Sequence, residues 1–477
     1  MRTLNRLGWT YAARWRAGQL ALSMCLALAA CGGDGDSAAP AAVESTPPAS
    51  SGPTPTAPAA MYSVGGTISG LVNDTQVTLL NKSGDALTVN ANGTFGFSTS
   101  VTSGTGYAVS VGTQPKGQTC VVSNGSGVVA TSNVISVAVT CSRIGHAYVT
   151  NSSDNTVSQF SIGADGTLTP MAAASIGTGS VPSSIAMHPA GNYAYVVNTL
   201  SRTVSQFAIG TDGALTPMAT ASVSTGMSPQ SVTVDPSGKY AYVTNRGASS
   251  VSQYTIGADG ALTPMPTATV GTGSNPTSVT VDPSGKYAYV VNYASNTVSQ
   301  FTIGVDGALS PMAVASVGTG AVPWSVTVDP SGKYAYVSNQ SSHAVWQYTI
   351  GATGALTPMP TPSVSTGAGA SPNVVSVDPT GKYAYVANGG TNTISQFAIG
   401  ADGALTPMLV ASVGAGILPE TITVDATGKY AYVTNWASNT VSQYVIDASG
   451  ALTPMATASV NTGIRPTSIA TRYAATH

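Results

Sequence analysis

A unit of about 47 residues recurs seven times between His146 and the C-terminus. Each copy contains a predicted strand that ends in Tyr-Val-x-Asn, and five of the six intervals between those asparagines are 47 residues long, while one is 49. The repeated asparagines are Asn151, Asn198, Asn245, Asn292, Asn339, Asn388 and Asn435. A fixed period of this length, with several short strands per unit, is typical of a β-propeller. The sequence therefore predicts an all-β fold with a seven-bladed propeller over residues 143–477.

The two ends of the repeat region predict how the propeller closes. The first copy begins at His146, already in its second strand, and has no first strand. The chain finishes with Pro466–Thr471, which matches the first strand of the other copies. We therefore expect the C-terminal strand to complete the first blade, so that no half-blade is left with an exposed edge.

The N-terminus has the pattern of a bacterial export signal. A leader with four arginines precedes an apolar run from Leu20 to Ala30, which is too short to cross ~30 Å of hydrocarbon as a helix. The run ends in Leu-Ala-Ala-Cys-Gly, which resembles a lipobox. We predict a signal peptide at 1–30 and lipidation of Cys31. Because Gly32 is not acidic, we expect an envelope protein anchored in the outer membrane. Whether it faces the periplasm or the cell surface is left open. Ordinary cleavage near Ala30 is the alternative.

Two further segments precede the propeller. Residues 31–60 hold the predicted lipidated cysteine and a linker rich in Pro, Ala and Ser, which cannot bury a core. Residues 61–142 alternate short apolar runs with turn signals and predict a small β-sandwich-like domain, serving as a spacer or, alternatively, in weak binding. Cys120 and Cys141 are the cysteines left in an oxidising compartment, so we expect a disulfide between them.

The repeat also supports a family resemblance. Tyr-Val-Thr-Asn followed by Val-Ser-Gln-Tyr and Asp-Gly-Ala-Leu-Thr-Pro resembles the YVTN-repeat propellers and the related seven-bladed lactonase-like family, which includes a bacterial 6-phosphogluconolactonase. The resemblance covers about 330 residues. It implies the fold, whereas family members include both enzymes and surface proteins. Lactonases of this kind place His, Arg and Glu around one channel mouth, and those positions do not match this sequence one by one.

A comparison of the seven copies predicts which face of the propeller carries function. The turns after the first and third strands are nearly invariant and lie on one face, whereas the loops on the other face vary. The variable positions follow the repeated Asn (Ser152, Thr199, Arg246, Tyr293, Gln340, Gly389, Trp436), follow the loop proline (Ser183, Gln230, Thr277, Trp324, Asn373, Glu420, Thr467) or precede it (Val181, Ser228, Asn275, Val322, Ser371, Leu418, Arg465). Neutral drift of exposed loops is one explanation. The large aromatic side chains favour a second, a binding surface.

From this variable face we select the candidate site residues. A ligand-binding face is predicted at Gln230, Tyr293, Trp324, Asn373 and Trp436. The catalytic candidates are Glu420, which is the only glutamate in the propeller, with Arg246, Arg465 and His343. A carboxylate, a cation and a possible base near one mouth are the minimum for opening a lactone.

Composition and spacing limit the remaining functions. Only 7% of residues are charged and the net charge is −2, which argues against a nucleic-acid partner. No His or carboxylate cluster has metal-ligand spacing, so neither a metal nor another cofactor is expected. Two functions remain: a binding or surface-interaction protein for an unknown small molecule, glycan or protein, or a metal-free lactone hydrolase. Membrane contact is expected through the lipid anchor only.

Overall fold

The computed structural model describes residues 59–82 and 84–473, and the predicted signal peptide, Cys31 and most of the linker lie outside them. The described residues form nine four-stranded sheets and one two-stranded sheet, and they contain no helix. The predicted all-β class is therefore confirmed. Seven of the four-stranded sheets are propeller blades, and the other sheets precede them in the chain.

The strands before the propeller form a small sandwich, as the sequence predicted. Two four-stranded sheets enclose a core that contains Val64, Val77 and Leu79, none of which is exposed. Cys120 and Cys141 are register partners on adjacent antiparallel strands, and they form the expected disulfide. The strands are Met61–Tyr62, Val64–Ser69, Val77–Asn81, Asp85–Val89, Gly93–Gly96, Val101–Thr102, Gly106–Thr113, Gln118–Ser123, Ser126–Val128 and Val134–Arg143.

Each blade is an antiparallel sheet of an inner, a second, a third and an outer strand. From blade 1 to blade 7, the inner strands are Pro466–Tyr473, Pro182–Met187, Pro229–Val234, Pro276–Val281, Pro323–Val328, Pro372–Val377 and Pro419–Val424. The second strands are Gly145–Asn151, Tyr193–Asn198, Tyr240–Asn245, Tyr287–Asn292, Tyr334–Asn339, Tyr383–Asn388 and Tyr430–Asn435. Blade 1 thus takes its inner strand from the C-terminal end of the described chain, which pairs with Gly145–Asn151.

The third and outer strands complete the blades. The third strands are Thr156–Ile162, Thr203–Ile209, Ser250–Ile256, Thr297–Ile303, Ala344–Ile350, Thr393–Ile399 and Thr440–Ile446. The outer strands are Leu168–Gly177, Leu215–Ser224, Leu262–Gly271, Leu309–Gly318, Leu356–Ser365, Leu405–Gly414 and Leu452–Asn461. Apolar side chains of adjacent blades pack against one another, so the core is divided into seven layers between blades.

Two buried side chains of every repeat hold each blade to the next one. The tyrosine of Tyr-Val-x-Asn donates its hydroxyl to a glycine carbonyl of the following blade at 2.6–2.7 Å. The repeated glutamine donates to its own outer strand and accepts from a leucine N–H of the following blade at 2.6–2.7 Å. A buried polar group must find such a partner, so the repeated motif serves the scaffold.

Candidate functional site

A β-bulge at the start of each inner strand creates a ring of seven side chains around the central channel. Each inner strand is the edge of its blade, where a proline lacking an N–H is tolerated. The pairing register shifts directly after that proline in every blade. A bulge leaves one residue unpaired and redirects its side chain. The ring residues, from blade 1 to blade 7, are Thr467, Ser183, Gln230, Thr277, Trp324, Asn373 and Glu420.

The ring opens into a small cavity with a volume of about 220 Å³. All ring residues except Asn373 line it. Below them lies a second layer, in which six blades contribute a hydroxyl group and blade 6 contributes Val374. The hydroxyl residues are Ser184, Ser231, Ser278, Ser325, Thr421 and Ser468. The channel mouth is therefore lined with uncharged hydrogen-bonding groups, three valine side chains, one indole ring and one carboxyl group.

Glu420 is that carboxyl group. It opens only onto the narrow channel, and burial raises its pKa from the ordinary 4.5 to about 7. Its Oε2 accepts a hydrogen bond of 3.2 Å from Asn373 Nδ2, which also donates to the Pro419 carbonyl at 2.9 Å. Gln340 Nε2 in turn donates to Asn373 Oδ1 at 2.7 Å. Two amides therefore fix the position of the carboxyl group.

Gln340 lies outside the predicted site residues. It directly follows the repeated Asn339, so its place among the variable positions was visible, but its reach into the next blade was not. Asn373 was selected for the ligand-binding face. The structure places it 7% exposed, behind Glu420, where it supports the carboxyl group and does not line the cavity.

The two arginines of the face lie on aromatic rings. Arg246 Cζ lies 4.7 Å from the centre of the Tyr293 ring and 5.9 Å from that of Trp324, and the two rings meet edge to face at 6.1 Å. Arg465 Cζ lies 4.5 Å from the centre of the Trp436 ring. Burial is the one cause of the raised pKa of Glu420, with no contribution from a positive charge. The structure therefore pairs both arginines with aromatic rings instead of bringing them to the carboxyl group.

His343 has the position of a loop asparagine. Its Nδ1 accepts a hydrogen bond of 3.1 Å from the Ser371 N–H, and its φ is +49°. In four other blades an asparagine with positive φ makes the same bond to the residue before the next loop proline: Asn155, Asn296, Asn392 and Asn439. His343 does not line the cavity. Its ring nitrogen serves the scaffold in place of an amide.

The predicted site residues thus fall into three groups. Glu420, Gln230 and Trp324 line one cavity, and Arg246 and Tyr293 contact Trp324 without lining it. Arg465 and Trp436 form a separate pair near the junction of blades 7 and 1. His343 belongs to neither group. Within residues 59–82 and 84–473, no three His, Cys, Asp or Glu side chains are grouped as a metal would require. The same residues include no helix capable of spanning a bilayer.

The chain folds as a seven-bladed propeller, and one mouth of its central channel holds the cavity described above. Comparison with known families identifies the lactonase family described as "Lactonase, 7-bladed beta-propeller", matched over residues 140–322, 264–376 and 306–465. These overlapping segments span well over half of the chain, and the chain belongs to this family. No curated protein sequence matches the chain.

Several solved structures share the fold. A Bacteroides fragilis protein provisionally assigned as a 6-phosphogluconolactonase has a TM-score of 0.62 at 21% identity, covering 69% of this chain and 98% of that one. The periplasmic gluconolactonase of Pseudomonas aeruginosa has a TM-score of 0.59 at 20% identity, covering 69% and 99%. At these identities the likeness establishes the fold alone.

Proposed function

We propose that this chain is a lipid-anchored binding protein of the bacterial envelope that recognises a small molecule, glycan or protein at the variable face. One observation carries the proposal: the Arg246–Tyr293–Trp324 stack stands directly at the cavity that holds Glu420. Arginine, tyrosine and tryptophan are the side chains most enriched among residues that dominate binding energy. Stacking fixes their geometry before a ligand arrives, which reduces the entropy lost on binding.

The same stack favours a binding function over a hydrolytic one. Opening a lactone needs a base to activate water and a positive or hydrogen-bonding group at the developing oxyanion. Arg246 and Arg465 lie on aromatic rings, and His343 Nδ1 is engaged by the scaffold. Glu420 therefore has no cation beside it to stabilise the oxyanion, and hydrolysis would have to rely on a neutral hydrogen-bond donor.

Truncation of the aromatic side chains tests the binding proposal. Trp324→Ala and Trp436→Ala should each weaken attachment to an envelope glycan or protein at least tenfold, because each removes an indole and frees the arginine held against it. Leu409→Ala is the matched control, since Leu409 is fully exposed on an outer strand. Pull-down from envelope fractions, followed by titration of the captured ligand, measures the effect. Unchanged capture by both tryptophan variants would contradict the proposal.

A second candidate function, a metal-free lactone hydrolase, is favoured by the pKa of Glu420 alone. A carboxyl group with a pKa of about 7 is suited to act as a general base near neutral pH. In this mechanism Glu420 would take a proton from water, and the Gln230 amide in the same cavity would donate to the oxyanion. Hydrolysis of glucono-δ-lactone, followed by proton release, should then fall at least 100-fold in Glu420→Gln. Equal rates for the variant, the native protein and buffer would eliminate the hydrolase.

The anchor is a separate part of the proposal, since Cys31 lies outside the described residues. Cys31→Ala should release the protein from membranes into the soluble envelope fraction, and mass spectrometry of the native protein should find a diacylated N-terminal cysteine. Cys25→Ala, within the predicted signal peptide, is the control and should leave anchoring intact. An unmodified N-terminus downstream of Ala30 would instead indicate ordinary signal cleavage.

A further inference from the structure

Three grooves of nearly equal size lie on the outer halves of blades 1, 2 and 4. Their volumes are about 410, 410 and 380 Å³, each larger than the cavity at the channel mouth. Sites for small ligands typically measure roughly 300–1,000 Å³. The grooves share no lining residue with the channel-mouth cavity, so they are a distinct feature of the molecule.

The blades that carry these grooves have one side chain in common. The residue after the repeated glutamine is Phe in blades 1, 2, 4 and 6 (Phe160, Phe207, Phe301 and Phe397) and Tyr in blades 3, 5 and 7 (Tyr254, Tyr348 and Tyr444). All three grooves belong to phenylalanine blades, and Phe160, Phe207 and Phe301 line them.

The tyrosine hydroxyl fills the space that phenylalanine leaves open. It donates to the last carbonyl of the preceding outer strand, at Ser224 (2.6 Å), Gly318 (2.8 Å) and Gly414 (2.7 Å). In the groove-bearing blades, the residues at that same position line the groove: Asn461, Gly177 and Gly271. The oxygen atom that separates Tyr from Phe therefore decides whether this backbone carbonyl is covered.

The phenylalanine blades also retain buried hydrogen-bonding capacity. Among the described residues, the Oδ1 atoms of Asn151, Asn198, Asn292 and Asn388 are buried without a partner, and these are the asparagines of blades 1, 2, 4 and 6. In the tyrosine blades the same atom accepts a bond from Gly226 N–H, Thr319 Oγ1 or Gly416 N–H at 2.9–3.1 Å. An unsatisfied buried acceptor costs about 1–3 kcal/mol. The four blades with Phe are therefore the four in which this asparagine oxygen accepts no bond from the protein, and three of them carry the grooves.

The Asn198 amide is joined to its groove through hydroxyl groups. Its Nδ2 donates to Ser205 Oγ at 2.9 Å and to Thr203 Oγ1 at 3.1 Å, and both hydroxyls line the groove of blade 2. A hydroxyl that accepts from the amide still has its own hydrogen to donate. The groove wall can therefore rearrange its hydrogen bonds around an arriving polar group.

The lining chemistry specifies the class of ligand. The grooves of blades 2 and 4 contain Thr and Ser hydroxyls, Gly backbone, and the apolar surfaces of Phe, Pro and Ala, with no charged side chain. Blade 1 adds Asp154, whose Oδ2 already accepts from the Ile464 N–H at 2.6 Å. A charged ligand would lose hydration here without gaining a counter-charge. A ligand with many hydroxyls and small apolar faces would find a partner for each group.

We propose that the three grooves bind sugar units of a neutral polysaccharide or oligosaccharide, one unit in each of the grooves on blades 1, 2 and 4. Repetition around the ring allows one polymer to engage two or three grooves, which raises its overall affinity without any new contact. The interaction surface on the outer halves of the blades is independent of the ligand proposed for the channel mouth.

The tyrosine blades indicate which substitutions test this proposal. In the triple variant Phe160→Tyr, Phe207→Tyr and Phe301→Tyr, each groove gains the hydroxyl that blades 3, 5 and 7 already accommodate, so the fold should be retained and the thermal midpoint should match the native protein. Native protein should bind members of an array of neutral linear glucans, mannans, galactans and chitin oligomers. Calorimetric titration of the best binder should give at least a tenfold loss of affinity in the triple variant.

Two further measurements separate the alternatives. Tyr254→Phe should open a groove in blade 3 and raise the number of sites for a trisaccharide probe, and Trp324→Ala should leave this binding unchanged. Absence of any neutral binder on the array, binding of acidic oligosaccharides only, or native affinity in the triple variant would each overturn the proposal. Binding that is lost with Trp324 but kept in the triple variant would place the sugar at the channel mouth, refuting the grooves and supporting the proposed function.

Discussion

Glu420→Gln provides a direct test of whether burial at the channel mouth disfavours the charged form of the Glu420 carboxyl group. In the folded protein burial raises the pKa of Glu420 from 4.5 to about 7. The folded state therefore binds a proton more tightly than the unfolded state, and the stability from this proton is fully present below pH 4.5 and is lost as the pH rises through 7. At about 1.4 kcal/mol per pKa unit the difference is about 3 kcal/mol, and we expect about 2 kcal/mol because the channel admits some water.

The variant should match the native protein near pH 4.5 and exceed its stability by this amount at pH 8. In a chain of this size the excess corresponds to a thermal midpoint about 2–4 °C higher, measured by scanning calorimetry across the pH range. Gln230→Glu, which adds a second carboxyl group to the same ring, should show the opposite change. Parallel stability profiles for the native protein and Glu420→Gln would refute the reasoning.

The sequence also offers a direct titration. The chain contains only two glutamates, Glu44 and Glu420. Carbon-13 labelling of the glutamate carboxyl group therefore gives two signals in an NMR titration. The signal that disappears in Glu420→Gln should titrate near pH 7, and the signal that remains, from Glu44, serves as the internal reference. A common midpoint for both signals would show that the cavity does not desolvate Glu420.

Three further changes have expected outcomes. Gln300→Ala should lower the free energy of unfolding by ~2–3 kcal/mol in urea titrations, because it leaves the buried Leu356 N–H without a partner and removes the bond to the Val314 carbonyl; a loss below ~1 kcal/mol would contradict the role of the bridge between blades. Burial and the adjacent Arg472 lower the pKa of His146, so the protein should lose stability as the pH falls below 6.5. His146→Tyr, which introduces the residue of the other six blades, should abolish this acid sensitivity in thermal scans. Equal midpoints of the native protein and the variant at pH 5 would refute it. The Cys120–Cys141 disulfide closes a loop of 21 residues, and its reduction should lower the free energy of unfolding by about 3 kcal/mol. Unfolding curves with and without reductant measure this loss, and identical curves would exclude a stabilising role.

The destabilising carboxyl group also bears on function. Residues that reduce stability are often found where activity needs a destabilised site. Glu420 occupies one of seven equivalent ring positions, and the other six carry uncharged side chains, so the scaffold does not require a carboxyl group there. Its support by Asn373 and Gln340 is typical of a functional group held by neighbouring side chains.

The sequence by itself determined the fold, because the repeat prescribes local structure and partners at the same time. Each copy brings its own strands and turns, and its Tyr and Gln each bond to the following blade, so seven copies that share one pattern must close into a ring. Comparison of the copies also identified the variable face. All of these conclusions rest on features that repeat along the chain.

The tertiary structure alone decided which of the variable residues meet. Side chains one or two blades apart, such as Arg246, Tyr293 and Trp324, become neighbours because adjacent blades bring their loops together at one mouth, and their separation in sequence does not encode that arrangement. His343 was selected for its chemistry, yet its backbone bond to Ser371 gives it the role of a loop amide. The choice of Phe or Tyr is visible in the sequence, but only the packing between blades shows that the Tyr hydroxyl bonds to the last carbonyl of the preceding outer strand.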